Sequence, residues 1–326
     1  MGIPTVQDVL AAARRIRPFL PPTPLLPSAA LSALLDAEVY VKCENLQPTG
    51  AFKVRGGINL LAAEAHDLQS RGAGIAAAST GNHGQSMAYA AAQFGIAATI
   101  FAPDGANPIK VAAMRALGAD VRLTGRDFDA AREACETHAA AAGARYVHAM
   151  NEPLLVAGVG TAALEALLER PESDWLFVPV GGGSGAAGAC LVASALCPDC
   201  RVVGVQAEGA PAVWRSFRER RMVSTERAET IAEGLSTRVA FDLPLTILWR
   251  HLHDLVLVSD ADMLSAMALY LEKTHLLAEA AGAAPLAAAL RLRQRLRGSR
   301  VVLMLSGGNA TLAQVGAALC GGRGRG

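Results

Sequence analysis

Lysine is scarce in this chain. Lys42, Lys53, Lys110 and Lys273 are the only four in 326 residues, and arginine carries the rest of the positive charge. Charge of either sign is also sparse, with 30 basic against 29 acidic side chains and a net charge of +1. That balance excludes the basic field expected of a nucleic-acid binder or of a protein held on an anionic membrane. No apolar run reaches the roughly 20 residues a membrane helix needs; one of the longest, Ala280 to Leu290, ends at Arg291. The N-terminus has no basic start followed by a greasy stretch, so no secretory signal is expected. Six scattered cysteines do not make a disulfide framework and suit a reducing cytoplasm. Cys197-Pro-Asp-Cys200 is a C-x-x-C, but it lacks the second ligand pair of a zinc site and follows an apolar helix. It reads as buried, inert thiols. His251 and His253 form an H-x-H, and His66, His138, His148 and His275 stand alone. None has metal-ligand spacing, so no metal site is expected. The Arg-rich stretch from Arg291 to Arg300 reads as a solvated helix face.

What the chain does have is a recurring pair of elements. Short β-branched runs are each followed by an Ala-rich helical stretch. The runs are Val39–Cys43, Ile75–Ser79, Ala98–Ala102, Trp175–Val180, Arg201–Val205, Leu255–Val258 and Arg300–Leu305. Their near-continuous apolar character fits parallel strands covered on both faces. The reading is an α/β fold with mostly parallel twisted sheets. In such folds, ligands bind beyond the carboxyl ends of the strands. Four loops at those ends are unusual: Thr49-Gly-Ala-Phe-Lys-Val-Arg-Gly56, Ser79-Thr-Gly-Asn-His-Gly84, Gly181-Gly-Gly-Ser-Gly185 and Ser306-Gly-Gly-Asn309.

Gly181 to Gly185 follows a strand and opens a helix. Several backbone N–H groups can converge there on one anion, at the positive end of the helix dipole, so a phosphate site is expected; a plain tight turn is the alternative. Gly183, Gly185 and Gly188 also match G-x-G-x-x-G, with Glu208 twenty residues after Gly188. This keeps an NAD-dependent oxidoreductase open as a competing reading. Lys53 lies in a Gly-flanked loop between Phe52 and Arg55. A lysine, unlike an arginine, can lose its proton and form an imine. On the local motif alone, a cofactor lysine and a surface lysine at a helix start stand level.

The four loops together resemble the serine/threonine dehydratases, which include serine racemase. These are fold-type II pyridoxal-phosphate (PLP) enzymes similar to the tryptophan synthase β chain. Lys42 to Gly56 resembles their Schiff-base segment and Ser79 to Gln85 their substrate-carboxylate loop. Val180 to Gly188 resembles their phosphate cup and Leu305 to Asn309 their pyridine-nitrogen loop. Order and spacing agree from Pro22 to Asn309. The resemblance implies two domains: residues 1–66 with 151–326 as the large PLP-binding part, and 67–150 as the small substrate-loop part. It implies that Lys53 holds PLP and then acts as the base on Cα, and that Phe52 flanks the ring. Asn82 would bond the ring hydroxyl, Gly181, Gly182, Gly183 and Ser184 would hold the phosphate, and Ser306 would meet the pyridine nitrogen. Ser79, Thr80, Gly81, Asn82 and His83 would bind the substrate carboxylate, with Thr80 on the opposite face of Cα.

A hydroxyl at the ring nitrogen supports a pyridinium less well than a carboxylate, so a long-lived carbanion is disfavoured and loss of a β-leaving group is favoured. The expected activity is therefore conversion of a β-hydroxy amino acid of serine/threonine type to a 2-keto acid and ammonia. A racemase is the alternative with the same cofactor. Three departures from the family stand out. Ala51 replaces the usual Ser before Phe-Lys, removing a hydrogen bond. Thr80 replaces a serine. Trp214 stands where metal-activated relatives carry an Asp six residues after the Glu208 position, so no divalent metal is expected there. Trp214 and Phe217 would either pack in the core or line a widened entrance for an aromatic substrate such as phenylserine. A homodimer or higher homo-oligomer is the family-based expectation. The chain stops soon after Asn309, so no added regulatory domain is expected. The glycine-rich end, Gly321 to Gly326, reads as disordered.

Overall fold

The computed structural model describes residues 2–322. Ten strands carry the architecture: β1 (Leu25–Pro27), β2 (Glu38–Cys43), β3 (Ile75–Ala78), β4 (Ala98–Ala102), β5 (Asp120–Leu123), β6 (Arg145–Tyr146), β7 (Trp175–Pro179), β8 (Arg201–Ala207), β9 (Asp254–Val258) and β10 (Arg300–Leu305). They form two sheets. One has six strands in the order β1-β2-β10-β7-β8-β9, and the other has four in the order β5-β4-β3-β6. Among the described strands only β1 runs antiparallel, against β2; every other strand pairing is parallel.

The seven expected runs are all strands, within two residues at either end. Three strands were not legible. β1 and β6 are too short to show a pattern, and β5 has one buried residue, Val121, between exposed polar ones. The buried strands are apolar on both faces because helices cover both. The helix Pro153–Glu169 and the helix Ser184–Leu196 are buried nearly all round. They cross closely: a Cβ on Gly188 would lie 2.6 Å from the Gly160 Cα, nearer than real Cβ contacts come. The third glycine of the apparent dinucleotide motif thus serves helix packing.

The basic stretch from Arg291 to Arg300 is not one helix face. It spans a helix end, a short helix (Arg293–Leu296) and the start of β10. Its arginines disperse to separate partners: Arg291 pairs with Glu208 and Asp262, Arg297 with Asp36 and Arg300 with Asp174. Arg295 stacks over buried Trp175. Cys197 and Cys200 are buried, and burial pushes the Cys200 thiol up to about 12. Phe217 is buried in the core and Trp214 packs against the same cluster, the packing alternative of the two expected. The last helix runs Leu312–Gly322, into the segment expected to be disordered; the remaining residues of that segment lie outside the described ones. Among the described residues, no helix is long and apolar enough to cross a membrane.

Candidate active site

The four unusual loops converge between the carboxyl ends of the two sheets. Lys53 sits immediately before the helix Val54–Ser70. Its backbone carbonyl accepts a 2.6 Å hydrogen bond from the Ser86 hydroxyl. Its amine turns inward and lies 2.7 Å from the Ser184 Oγ. Ser184 opens the helix Ser184–Leu196, directly after Gly183, whose φ of +94° is a conformation glycine adopts without strain. A surface lysine at a helix start is thereby ruled out. Desolvation lowers the Lys53 pKa to about 8, with no charged partner contributing. The Phe52 ring closes one side, with the amine 5.3 Å from its centroid. A side chain at Gly185 would strike that ring, its Cβ 2.9 Å from Phe52 Cε2.

The 306–309 loop is bound to the lysine loop by backbone contacts. Phe52 N–H donates to the Ser306 carbonyl and Gly308 N–H to the Gly50 carbonyl, both at 2.9 Å, and Ala51 bridges to Gly307. Ser306 is buried at the end of β10. It does not cap the next helix, which begins at Leu312 with Thr311 and Gln314 exchanging bonds at its start. The third loop is braced from within: the Ser79 hydroxyl accepts from Gly81 N–H at 3.1 Å and from Gly84 N–H at 2.8 Å. Thr80, Gly81 and Asn82 are half-buried beyond it. His83 is buried. Desolvation, reinforced by the nearby Lys53 charge, pushes it down to about 3, so its imidazole is neutral at working pH. Its Nε2 has no hydrogen-bond partner.

Three features had not been picked out in the sequence. Glu279 is buried and accepts a 2.8 Å bond from Asn82 Nδ2; burial holds its carboxyl above the ordinary range. Lys110 is buried beside Gly81 and pairs with Glu233. Met150 packs on the phosphate-side loop, where a Cβ on Gly182 would meet its Sδ at 2.4 Å. The one available signal was a lone carboxylate before an uncharged run, Glu279 ahead of Ala280 to Leu290.

This set fits a phosphorylated aldehyde cofactor. An inward-turned, desolvated amine without a carboxylate partner among the described residues needs another electrostatic complement. It faces a glycine-lined helix N-terminus, where backbone N–H groups favour an anion. Fold and site thus fit the class of enzymes that bind such a cofactor beyond the ends of parallel strands, with a lysine placed where it could hold the aldehyde. A family profile described as pyridoxal-phosphate dependent enzyme matches residues 16–307. An L-threonine ammonia-lyase of Thermotoga maritima is 37% identical over 94% of this chain and 75% of its own. An L-threo-3-hydroxyaspartate ammonia-lyase of a Pseudomonas species is 36% identical over 98% of this chain and all of its own length. The solved serine racemase of Dictyostelium discoideum superposes with a TM-score of 0.89 at 29% identity, over 95% of this chain and 100% of that one. The chain belongs to the pyridoxal-phosphate dependent enzyme family. With that assignment the oxidoreductase reading falls; Glu208, its ribose acid, is half-exposed and paired to Arg291 at 2.9 Å.

The lowered pKa of Lys53 has a kinetic consequence. Only the neutral amine attacks an aldehyde, and with a pKa of about 8 roughly a quarter of it is neutral at pH 7.5, against about 0.1% for an ordinary lysine. Uptake of PLP by the cofactor-free chain should therefore speed up nearly tenfold from pH 6 to 7 and level off above pH 8. Stopped-flow absorbance checks this; a rate still climbing tenfold per unit at pH 9 would contradict it.

Proposed function

We propose that this enzyme converts a β-hydroxy amino acid of serine/threonine type into a 2-keto acid and ammonia. One observation carries the reading: the Lys53 amine, half-buried, turned inward and without a carboxylate partner among the described residues, meets the glycine-headed helix at Ser184. The names of the relatives, ammonia-lyases acting on threonine and hydroxyaspartate, support it. PLP, when bound, draws electrons from the substrate Cα and acidifies its C–H bond. Gly181, Gly182, Gly183 and Ser184 would hold its phosphate, Phe52 would flank its ring, Asn82 would face the ring hydroxyl and Ser306 the ring nitrogen. Thr80, Gly81, Asn82 and His83 hold the substrate carboxylate on a loop that Ser79 braces. Lys53 Nζ would take the Cα proton, and a proton from the phosphate side of the pocket, where Ser184 lies 2.7 Å from that amine, would go to the departing β-hydroxyl so that it leaves as water; Lys53 would then return its proton to that side. The released enamine tautomerises and takes up water, giving keto acid and ammonia.

Residues 67–150 form the smaller, substrate-loop part, and residues 1–66 with 151–326 the larger. The enzyme works as a homo-oligomer in the cytoplasm. A panel assay tests the activity: the PLP-loaded protein is given serine, threonine, 3-hydroxyaspartate and phenylserine, and keto acid is measured. At least one should be consumed, with the remaining substrate keeping its configuration. Equal inactivity across the panel, or scrambled substrate without keto acid, would refute the assignment.

A further inference from the structure

The helix Ala280–Arg291 is buried from Ala280 through Ala289, yet the residue that leads into it is a carboxylate, Glu279, only 8% exposed. It does not cap its own helix with its side chain. Its Oε1 instead accepts from Asn82 Nδ2 at 2.8 Å. The other end of the same amide is also held: Asn82 Oδ1 accepts from Asn309 Nδ2 at 2.9 Å, and Asn309 is anchored at 2.9 Å on the Thr49 carbonyl. The carboxylate lies against the Gly307 backbone, where a Cβ would come within 2.4 Å of Oε1. It therefore sits beside Ser306, between the positions read as facing the ring nitrogen and the ring hydroxyl.

An asparagine amide offers two N–H donors and one carbonyl. Here the carbonyl is satisfied by Asn309 and one N–H by Glu279, which leaves one N–H. Flipping the amide would set its oxygen against the carboxylate and its NH2 against the Asn309 NH2. We propose that Glu279 is a positioning residue for the cofactor, holding the Asn82 amide so that its remaining N–H is directed to the ring hydroxyl. This rests on the proposed function, which puts that hydroxyl at Asn82. Lys110, the cation nearby, is already paired with Glu233, so the Asn82 amide is the partner that Glu279 holds directly.

The test measures PLP affinity by equilibrium dialysis and the visible absorption band of the loaded protein, neither of which needs turnover. Glu279→Ala should weaken PLP binding about tenfold and alter the band, as loss of a charge-assisted hydrogen bond would. Glu279→Gln keeps an acceptor oxygen and the side-chain volume, and should stay within about threefold of wild type. Asn82→Ala should match Glu279→Ala, and the double variant should bind no worse than Asn82→Ala alone, because one residue acts through the other. Should Glu279→Ala fail to fold, Gly307→Ala displaces the carboxylate without removing it and should show the same loss. Glu279→Ala with wild-type affinity and spectrum, or a double variant whose losses simply add, overturns the inference. A wild-type chain that takes up no PLP overturns the functional reading along with it, whereas a wild type that loads normally beside an unchanged Glu279→Ala overturns this inference alone.

Discussion

Lys53→Ala should abolish keto-acid release, by at least about a thousandfold, while the protein stays folded. On the proposed function two roles would be lost at once: the covalent hold on the cofactor and the base on Cα. A positioned base alone is worth about a hundred- to ten-thousandfold. The folded state should tolerate the change because the amine makes one side-chain hydrogen bond, to Ser184, and pairs with no carboxylate. Removing a desolvated amine also removes the cost of burying its charge below pH 8. The variant should melt within a few degrees of the cofactor-free wild type, and should stay colourless when PLP is added and unbound PLP removed. Turnover at the wild-type rate would remove Lys53 from the chemistry; a protein that unfolds instead would show that its role was structural.

Arg55→Ala should be the most destabilising single change near the site. Arg55 is fully buried and holds two carboxylates: Glu44 at 2.7 and 2.8 Å, Glu165 at 2.6 and 2.8 Å. Lys42 Nζ bonds Glu165 at 2.6 Å, and Thr23 Oγ1 bonds Glu44 at 2.5 Å. Truncating the arginine leaves Glu44, itself fully buried, without its principal counter-charge. Breaking such a pair from one side costs about 3–5 kcal/mol, out of a total stability of about 5–15. The sign of the pH dependence follows from Glu44. Burial pushes its carboxyl up, but the charge and hydrogen bonds of Arg55 outweigh this, and the net shift is downward. In wild type, that stabilisation is present above the unfolded carboxyl value, about 4.3, and is lost as pH falls through the lower folded value. In the variant, burial wins and the carboxyl rises, so protonation relieves the penalty as pH falls. The deficit in urea midpoint against wild type should be clearly larger at pH 8 than at pH 5. Equal deficits at both pH values would mean that Glu44 is not the strained group.

Neither the Arg55 network nor Glu279 was legible along the chain, and the reason is the same for both. Glu44 and Arg55 are eleven positions apart, and Glu165 lies 110 from Arg55; only the pairing of β2 in the large sheet and the packing of the helices Val54–Ser70 and Pro153–Glu169 bring them into contact. Asn82 and Glu279 are 197 positions apart and come from layers built on different sheets. A buried ion pair leaves no periodic trace, because each partner looks like an ordinary surface charge until the other is located.

Local chemistry, by contrast, was readable. The runs of β7, β8 and β10 were legible because strands covered on both faces must be apolar at every position. The loops around Lys53, Gly183 and Ser306 stood out because glycine and lysine there have backbone and proton-transfer properties that other residues lack. The sequence by itself determined the parallel α/β class and, through the resemblance its loops carry, marked the strand ends and the lysine proposed to hold the cofactor. The tertiary structure decided that this amine points inward at Ser184, that the basic stretch near the end scatters to separate partners, and that a carboxylate 197 residues away holds Asn82. Strand and loop character depend on neighbours in the chain, whereas burial, ion pairing and amide orientation depend on neighbours in space.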